Sequence, residues 1–382
     1  MTLIRTTHGF RRYAFSIQYN GSPFLGFSYQ GPTGENYNSE NKGGGSSSDL
    51  RGLYSIEGRV RLALSALVNR TNDPPTPDIN DSSHWEQLQV SSRTDRGVHA
   101  LHNTFHVDVR PKRIEDGDWK ADSLVQGLNY YLVRQARADV EALRTSMQFR
   151  NGGGGRTAAV PSHVVYQFDQ AIRILSCRPV PKEVRLLNKF HDPRNPDREP
   201  EYIDWNARYS ASRRTYLYRI RVGDPASQSS EVGVPFDSDT SWTVRTEGGM
   251  LNIEAMERAA QYLTGTLDFT SFRAARCYRT SPIVTMERIE IHVNSHSRIG
   301  IPSVGKVMDS QPQQVSIVIS GNAFLYRQVR NMVGCLVDVG LNKLDPERVL
   351  EILEACDRTQ APRTAPAHGL FLAKVEHGDF TF

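Results

Sequence analysis

The stretch Ser92-Arg93-Thr94-Asp95-Arg96-Gly97-Val98-His99-Ala100 lies between two short alternating apolar runs and carries one carboxylate between guanidinium groups. An Asp-x-Gly between strands is in the first place a turn former, because Asp bonds to nearby backbone and Gly tolerates the backbone angles of a turn. Asp95 stands apart through its company. Arg93 lies two residues before it, and Tyr216 and Arg330 sit in two later segments that mix arginine with aromatic residues. Together these segments read as one site.

The second of them, Asn206 to Arg219, carries Arg208, Arg213, Arg214 and Arg219 among Tyr209, Tyr216 and Tyr218. Guanidinium groups meet phosphates and aromatic rings stack on bases, which is how single-stranded or splayed RNA is held. A strand with a basic solvent face and aromatic packing has the same composition. Tyr218 and Ile220 are expected to be packing residues of that kind, whereas Tyr216, near the start of the strand, is expected to be functional.

In the third segment, Asn322 to Gly334, the residues Leu325, Val329, Met332 and Val333, continued by Leu336 and Val337, mark one buried helical face, and Gly340 is placed to end the helix. Arg327 and Arg330 then fall in or near the first two turns, where the helix dipole disfavours cations. A nearby anion would account for them, either Asp95 or an RNA phosphate; a solvated arginine is the plainer alternative.

His99, His102 and His106 raise the question of a metal, since His102 and His106 share a strand face. Their spacing is not a zinc pattern, and no nearby carboxylate or thiol completes a ligand set. They are expected to be solvated or RNA-facing, with no metal bound. The run Gly152 to Gly155 lacks the Lys-Ser/Thr that follows a phosphate loop, so it is expected to be a surface loop.

The chain of 382 residues, with a formal charge of +4, is long enough for two packed units. Arginine is frequent in the motif segments, which suits a phosphate-bearing partner better than an acidic protein surface. No apolar run is long enough to cross a bilayer as a helix, so no membrane association is expected. Cys177, Cys277, Cys335 and Cys356 are scattered without a C-x-x-C pair and suit a reducing compartment. Arg5, Arg11 and Arg12 precede the first acidic residue, Glu35, as in an organellar presequence. The alternation of Tyr13 to Tyr19, however, begins the fold near residue 12.

The elements that must position the three segments repeat. A strand at Tyr13 to Tyr19 is followed by a helix on Ile56, Val60, Ala63, Leu64, Leu67 and Val68, and then by strands around Leu88 to Val90 and Thr104 to Val109. Phe105, Val107 and Val109 form the expected buried face of the latter strand, opposite Thr104, His106 and Asp108. A helix near Ser123 to Leu132 and a strand at Ile172 to Leu175 complete β-α-β-β-α-β. The second half repeats the order: strand Thr215 to Val222, helix Ile253 to Leu263, strands Ile289 to Val293 and Val315 to Ile319, helix Leu325 to Val339 and strand Leu370 to Val375. An added helix opens at Asp345-Pro346. This predicts an α+β fold of two tandem ferredoxin-like halves, 1–205 and 206–382, with a joined, mainly antiparallel sheet, helices on one face and a cleft between halves. Insertions are expected at about 31–48, 137–165, 223–245 and 294–312, with residues 191–201 similarly polar.

Five ordered motifs resemble the TruA family of tRNA pseudouridine synthases. They are the Asp95 stretch, the segment from Asn206, Gly265-Thr-Leu-Asp-Phe-Thr-Ser-Phe-Arg273, Phe324-Leu-Tyr-Arg-Gln-Val-Arg-Asn-Met-Val-Gly334 and Thr364-Ala-Pro-Ala-His-Gly-Leu-Phe-Leu372. The likeness runs from about residue 12 to residue 376, and the wording of the last two motifs is closest to the branch called tRNA pseudouridine synthase-like 1. The resemblance implies a catalytic aspartate at Asp95, an active-site tyrosine at Tyr216, an arginine paired with the aspartate at Arg330 and an apolar base-pocket residue at Leu370. It assigns RNA contacts to Arg93, Arg96, Arg208, Arg213, Arg214 and Arg327.

The implied reaction breaks N1–C1′ of uridine, turns the base and joins C5 to C1′. It calls for a nucleophile and a closed pocket but no cofactor. The implied partner is tRNA or another structured RNA, by family default at anticodon-arm uridines, bound by a homodimer in a mitochondrial or cytoplasmic setting. A catalytically silent RNA-binding or chaperone relative, and an enzyme acting mainly on messenger or mitochondrial transcripts, are the alternatives. A nucleoside hydrolase would need a water- or calcium-binding motif that the sequence lacks. Three departures from the family wording, Arg96 beside the aspartate, Gly26-Phe27-Ser28 and Leu267, bear on RNA contacts and substrate choice.

Overall fold

The computed structural model describes residue 4 and residues 9–28, 55–69, 84–111, 118–150, 171–187, 202–223, 239–294, 313–378 and 380–382. The expected insertions at about 31–48 and residues 191–201 lie outside these, as do 295–312. The protein is a mixed α+β chain whose sheets are mostly antiparallel. Its residues fall into two compact units, Met1–Ala211 with Val375–Phe382, and Ser212–Lys374.

The first unit contains β1 (Arg11–Tyr19), α1 (Ile56–Asn69), β2 (Trp85–Val90), β3 (His99–Val109), α2 (Ala121–Arg150) and β4 (Ile172–Pro179). They are followed by the short strands β5 (Arg185–Leu187) and β6 (Tyr202–Asp204) and the single turn α3 (Ala207–Ser210). The main strands run in the order β4-β1-β3-β2, all neighbours antiparallel. β1 is central, and its neighbour Phe105 on β3 stacks on Phe15 with ring centroids 4.8 Å apart. Ser55 caps α1 by accepting a hydrogen bond from the Gly58 amide at 3.0 Å. At Gly127 a Cβ would stand 2.5 Å from Leu67, so glycine lets α1 and α2 approach.

Two sequence expectations are corrected here. Residues 137–150 were expected as part of a loop but continue α2 to Arg150; Ala136, Ala138 and Ala142 are strong helix formers that extend the turn beyond the apolar stripe. The polar face of β3 was expected to meet solvent, yet Thr104, His106 and Asp108 are as buried as Phe105 and Val107. Its cover comes from distant chain. Trp205 packs with Ile4, Ala14, Val180 and Ala207, joined by Phe380 and Phe382 of the C-terminal tail. Several of the polar groups find partners there: Arg12 donates to both carboxylate oxygens of Asp108 at 2.7 Å, and His106 Nδ1 accepts from the Ala207 amide at 3.1 Å, while His106 Nε2 has no hydrogen-bond partner among the described residues. His99 is buried too, so His99 and His106 are not the solvated or RNA-facing residues expected.

The second unit contains β7 (Arg213–Gly223), β8 (Trp242–Arg245), α4 (Ile253–Gln261), β9 (Gly265–Asp268), β10 (Ile283–Asn294) and β11 (Gln313–Gly321). It continues with α5 (Gln328–Gly340), α6 (Pro346–Glu354) and β12 (Leu370–Glu376), whose last two residues belong to the first unit. The order is β12-β7-β11-β10-β9, with β8 parallel to β7 within the span expected as an insertion. α5 is buried along nearly its whole length, and Gly340, where a Cβ would lie 2.6 Å from the Met256 sulfur, brings it against α4. α5 begins three residues later than expected because Arg327 adopts a left-handed conformation, φ 60°, as its N-cap. Asp345 does precede α6 with Pro346 in the first turn, but its side chain makes no cap bond.

Candidate functional site

Asp95 sits in the connection between β2 and β3, where the Val98 amide donates to the Asp95 carbonyl at 3.1 Å and Gly97 takes φ 76°. The backbone is thus turned tightly at the carboxylate. Asp95 is partly buried, while Arg93 and Arg96 are exposed.

The loop is held from several sides by residues of its own unit. Asn103, wholly buried, donates from Nδ2 to the Ser92 carbonyl at 2.9 Å and to the Tyr19 hydroxyl at 3.2 Å. The Tyr19 hydroxyl also meets Thr94 Oγ1 at 2.8 Å. The Phe27 amide donates to the Thr94 carbonyl at 3.0 Å, and the Gly21 amide donates to His99 Nδ1 at 3.2 Å. Gly26, at φ 115°, has no room for a side chain: a Cβ would lie 3.0 Å from the Thr94 carbonyl oxygen. Gly21 is tighter still, with a Cβ position 2.0 Å from the Val98 carbonyl oxygen.

A second network holds the start of the loop. Ser91 Oγ donates to the Ala207 carbonyl at 2.8 Å and is hydrogen-bonded to Thr104 Oγ1. Thr104 Oγ1 meets His377 Nε2 at 2.7 Å, while His377 Nδ1 meets Ser210 Oγ at the same distance. The C-terminal tail therefore reaches the residue that begins the Asp95 loop. Arg208 lies on α3, exposed, with its guanidinium 5.8 Å from the Tyr209 ring; Asn206 caps that turn.

In the second unit Tyr216 lies on β7 opposite Ile319, its ring edge-on to Phe324 at 4.8 Å. It shares its strand face with Tyr218 and Ile220, all three buried. Tyr218 is a packing residue as expected. Its hydroxyl donates to the Pro366 carbonyl at 2.8 Å, and burial pushes its pKa upward, opposed by the nearby Arg330 charge. Arg213 forms an ion pair with Glu287, and Arg214 donates to the Asn322 carbonyl at 2.7 Å.

Arg330 is clasped by the 365 segment. Its Nε donates to the Ala365 carbonyl at 2.8 Å and its carbonyl accepts from the Ala365 amide at 3.1 Å. Five residues on, buried Leu370 opens β12. Arg327 is exposed and lies over the Tyr326 ring at 5.0 Å.

Positioning residues escaped the sequence reading. Asn331, on the buried side of α5, donates to the Phe272 carbonyl at 2.7 Å and accepts from Thr364 at 2.6 Å and Arg358 at 3.2 Å. It thereby ties three of the five motifs together. The signal available was a polar residue beside the apolar stripe of the helix; Tyr19 offered only its place at the end of a strand, and Asn103 its place just before the strand expected from Thr104. Among the described residues no cluster of His, Cys, Asp or Glu is arranged to hold a metal.

A family model described as tRNA pseudouridine synthase matches residues 259–377. Human tRNA pseudouridine synthase-like 1 is 31% identical over 338 residues, covering 87% of this chain and 87% of that protein. The mouse protein of that name is 31% identical over 342 residues, covering 87% of this chain and 91% of its own length. The tRNA pseudouridine synthase A of Caulobacter sp. (strain K31) is 27% identical over 366 residues, 95% of this chain and 97% of the relative. The chain belongs to the tRNA pseudouridine synthase family.

Proposed function

We propose that the protein isomerises uridine to pseudouridine in tRNA, with Asp95 as the nucleophile. The observation that carries this reading is the Asp95 loop itself: a partly buried carboxylate on a tight turn, gripped on its N-terminal side through Ser92 and Thr94 by Asn103 and Tyr19. Such a loop keeps a nucleophile oriented at little entropic cost when substrate arrives. Family membership, through relatives matched over most of the chain, supports the reaction class.

In this reading each half is ferredoxin-like, a description supported by the order β4-β1-β3-β2 in the first unit and the matching β12-β7-β11-β10 in the second, to which β8 and β9 are additions. Arg330 is the arginine that the family pattern assigns to the aspartate, and its clasp to Ala365 supports a fixed guanidinium. Tyr216 stacks on the base and assists loss of the C5 proton, and Leu370 lines the base pocket. Arg93, Arg96, Arg208, Arg213, Arg214 and Arg327 meet RNA phosphates. A uridine within a stem must first be extruded, at about a few kcal/mol, which phosphate contacts offset. The isomerisation exchanges a C–N for a C–C glycosidic bond without net redox change, so its chemistry calls for no cofactor. We also assign the protein to a homodimer, with mitochondrial residence suggested by the like-1 branch; light scattering and fractionation test these two points.

The experiment is release of tritium from tRNA labelled at C5 of uridine, comparing wild type with Asp95→Ala while RNA binding is followed in parallel. Release by the wild type alone, with binding kept by both, supports the isomerase. Binding without release from any cellular RNA points to a silent RNA-binding relative, and release from messenger or mitochondrial transcripts in preference to tRNA redirects the substrate. Equal release by the variant removes Asp95 from the mechanism.

A further inference from the structure

The first unit has a groove that the proposed reaction does not use. Strand β4 pairs with β1 on one side; on α2, Asn129 donates to the Ile174 carbonyl at 2.9 Å and accepts from the Ile174 amide at 2.8 Å. This pair of hydrogen bonds between one side chain and one strand residue fixes the helix against β4. Beside it opens a cavity of about 940 Å³ lined by Tyr130, Arg134 and Arg137 of α2, Arg173 and Leu175 of β4 and Gln18 of β1.

Three features describe what fits there. Arg134, Arg137 and Arg173 bring three guanidinium groups to one groove, and none of its lining residues is acidic. Arg134 and Arg137, three residues apart, share a helix face and stand about 4.5 Å apart along its axis. Tyr130, 61% exposed, has its ring edge-on to Tyr131 at 5.2 Å, so its ring is open to a stacking partner. Guanidiniums in a row beside an exposed ring suit a polyanion that also carries flat bases. The groove's location adds to this. Gln18 on its wall is the chain neighbour of Tyr19, whose hydroxyl holds Thr94 next to Asp95. Gln18 and Tyr19 thus put the groove and the Asp95 loop at the same end of β1, on opposite faces of the strand.

We propose that this groove is a second RNA-contact surface, taking the sugar-phosphate backbone of the substrate RNA beside the nucleotide offered to Asp95. It rests on the reading of the protein as an enzyme of tRNA. A protein partner, including a second copy of this chain, would have to bring several carboxylates to the same place, whereas RNA brings a phosphate at every nucleotide.

The test is the double variant Arg134→Gln/Arg173→Gln in the full-length protein, with Arg258→Gln, an exposed arginine of α4, as the charge-loss control. Affinity for unmodified tRNA is measured across a salt series, together with KM, kcat and the mass in solution by light scattering. The expected result is a KM at least about fivefold higher near physiological salt and a salt dependence shallower by one to two phosphate contacts, roughly 0.7–0.9 in slope for each. kcat at saturating tRNA and the mass stay unchanged, and the control behaves as wild type. Unchanged affinity and salt slope overturn the groove as an RNA surface. A changed mass overturns it in favour of an interface between copies. If wild type releases no tritium from tRNA, the catalytic reading fails, while the binding and salt measurements still decide the groove.

Discussion

The hydroxyl of Tyr19 stands 2.8 Å from Thr94 Oγ1, so the last residue of β1 grips the residue next to Asp95. Asn103 joins the same pair through its 3.2 Å bond to the Tyr19 hydroxyl. The aspartate is thus oriented by the framework of its unit through a chain of buried hydrogen bonds.

Tyr19→Phe should therefore lower kcat with little change in KM for tRNA, at a stability cost of about 1 kcal/mol. Thr94→Val should have a similar effect. The double variant should be no worse than Tyr19→Phe alone, because that substitution already removes the bond to Thr94 along with the one from Asn103. Steady-state kinetics of the three variants checks this; additive losses would mean that the two hydroxyls act separately.

Asp95→Asn should reduce kcat by about 10³ or more while leaving tRNA affinity and the unfolding midpoint close to wild type. The neutral amide keeps the size of the side chain but not its nucleophilicity. Tritium release and urea unfolding, measured on the same preparation, separate loss of chemistry from loss of fold.

Gly334→Ala should damage the protein more than its small size suggests. A Cβ there would stand 2.1 Å from the Arg363 carbonyl oxygen, so α5 and the segment leading to Ala365 must part. The Arg330 clasp would loosen with them. A loss of about 2–4 kcal/mol in stability is expected, typical of overpacking against rigid backbone, together with reduced activity. Denaturant unfolding reads the first effect and tritium release the second.

The acid side of the stability curve should depend on His106. Its burial, reinforced by the Arg12 charge, holds the imidazole well below its usual pKa. The folded state then keeps it neutral while the unfolded chain takes up a proton as pH falls through about 6.5. The unfolded state binds the extra proton, so stability is present at neutral pH and falls below 6.5, by up to about 1.4 kcal/mol per pH unit. Urea unfolding at pH 7.0 and 5.5 should show a smaller acid loss for His106→Gln than for wild type. Equal losses would remove His106 from the acid transition.

Much of the architecture was readable from periodicity. Alternation marked β1, β3, β7 and β11, and the apolar stripe with Gly340 marked most of α5, because burial repeats every two residues in a strand and about every 3.6 in a helix. The motif residues could likewise be chosen by chemical type, since an Asp beside Arg and Gly, or a Tyr among arginines, differs visibly from a packing pattern. What the residues at 137–150 do was not readable, because continuation of a helix past its apolar stripe depends on local propensity and on what lies beneath it.

Three matters belonged to the tertiary structure alone. The polar face of β3 is buried because Trp205 and the C-terminal tail, contributed by remote parts of the chain, cover it; local alternation says only that its two faces differ. Arg327 precedes α5 instead of riding on it because the chain turns left-handed there, and nothing in the residue type of arginine announces a positive φ. The roles of Tyr19, Asn103 and Asn331 exist only as distances to residues far along the chain. By itself, then, the sequence determined which elements form and which side chains carry reactive groups, because those follow from period and chemistry along the chain. Folding decided which groups are held still, because a hydrogen bond between distant residues is specified by their meeting in space and by no local pattern.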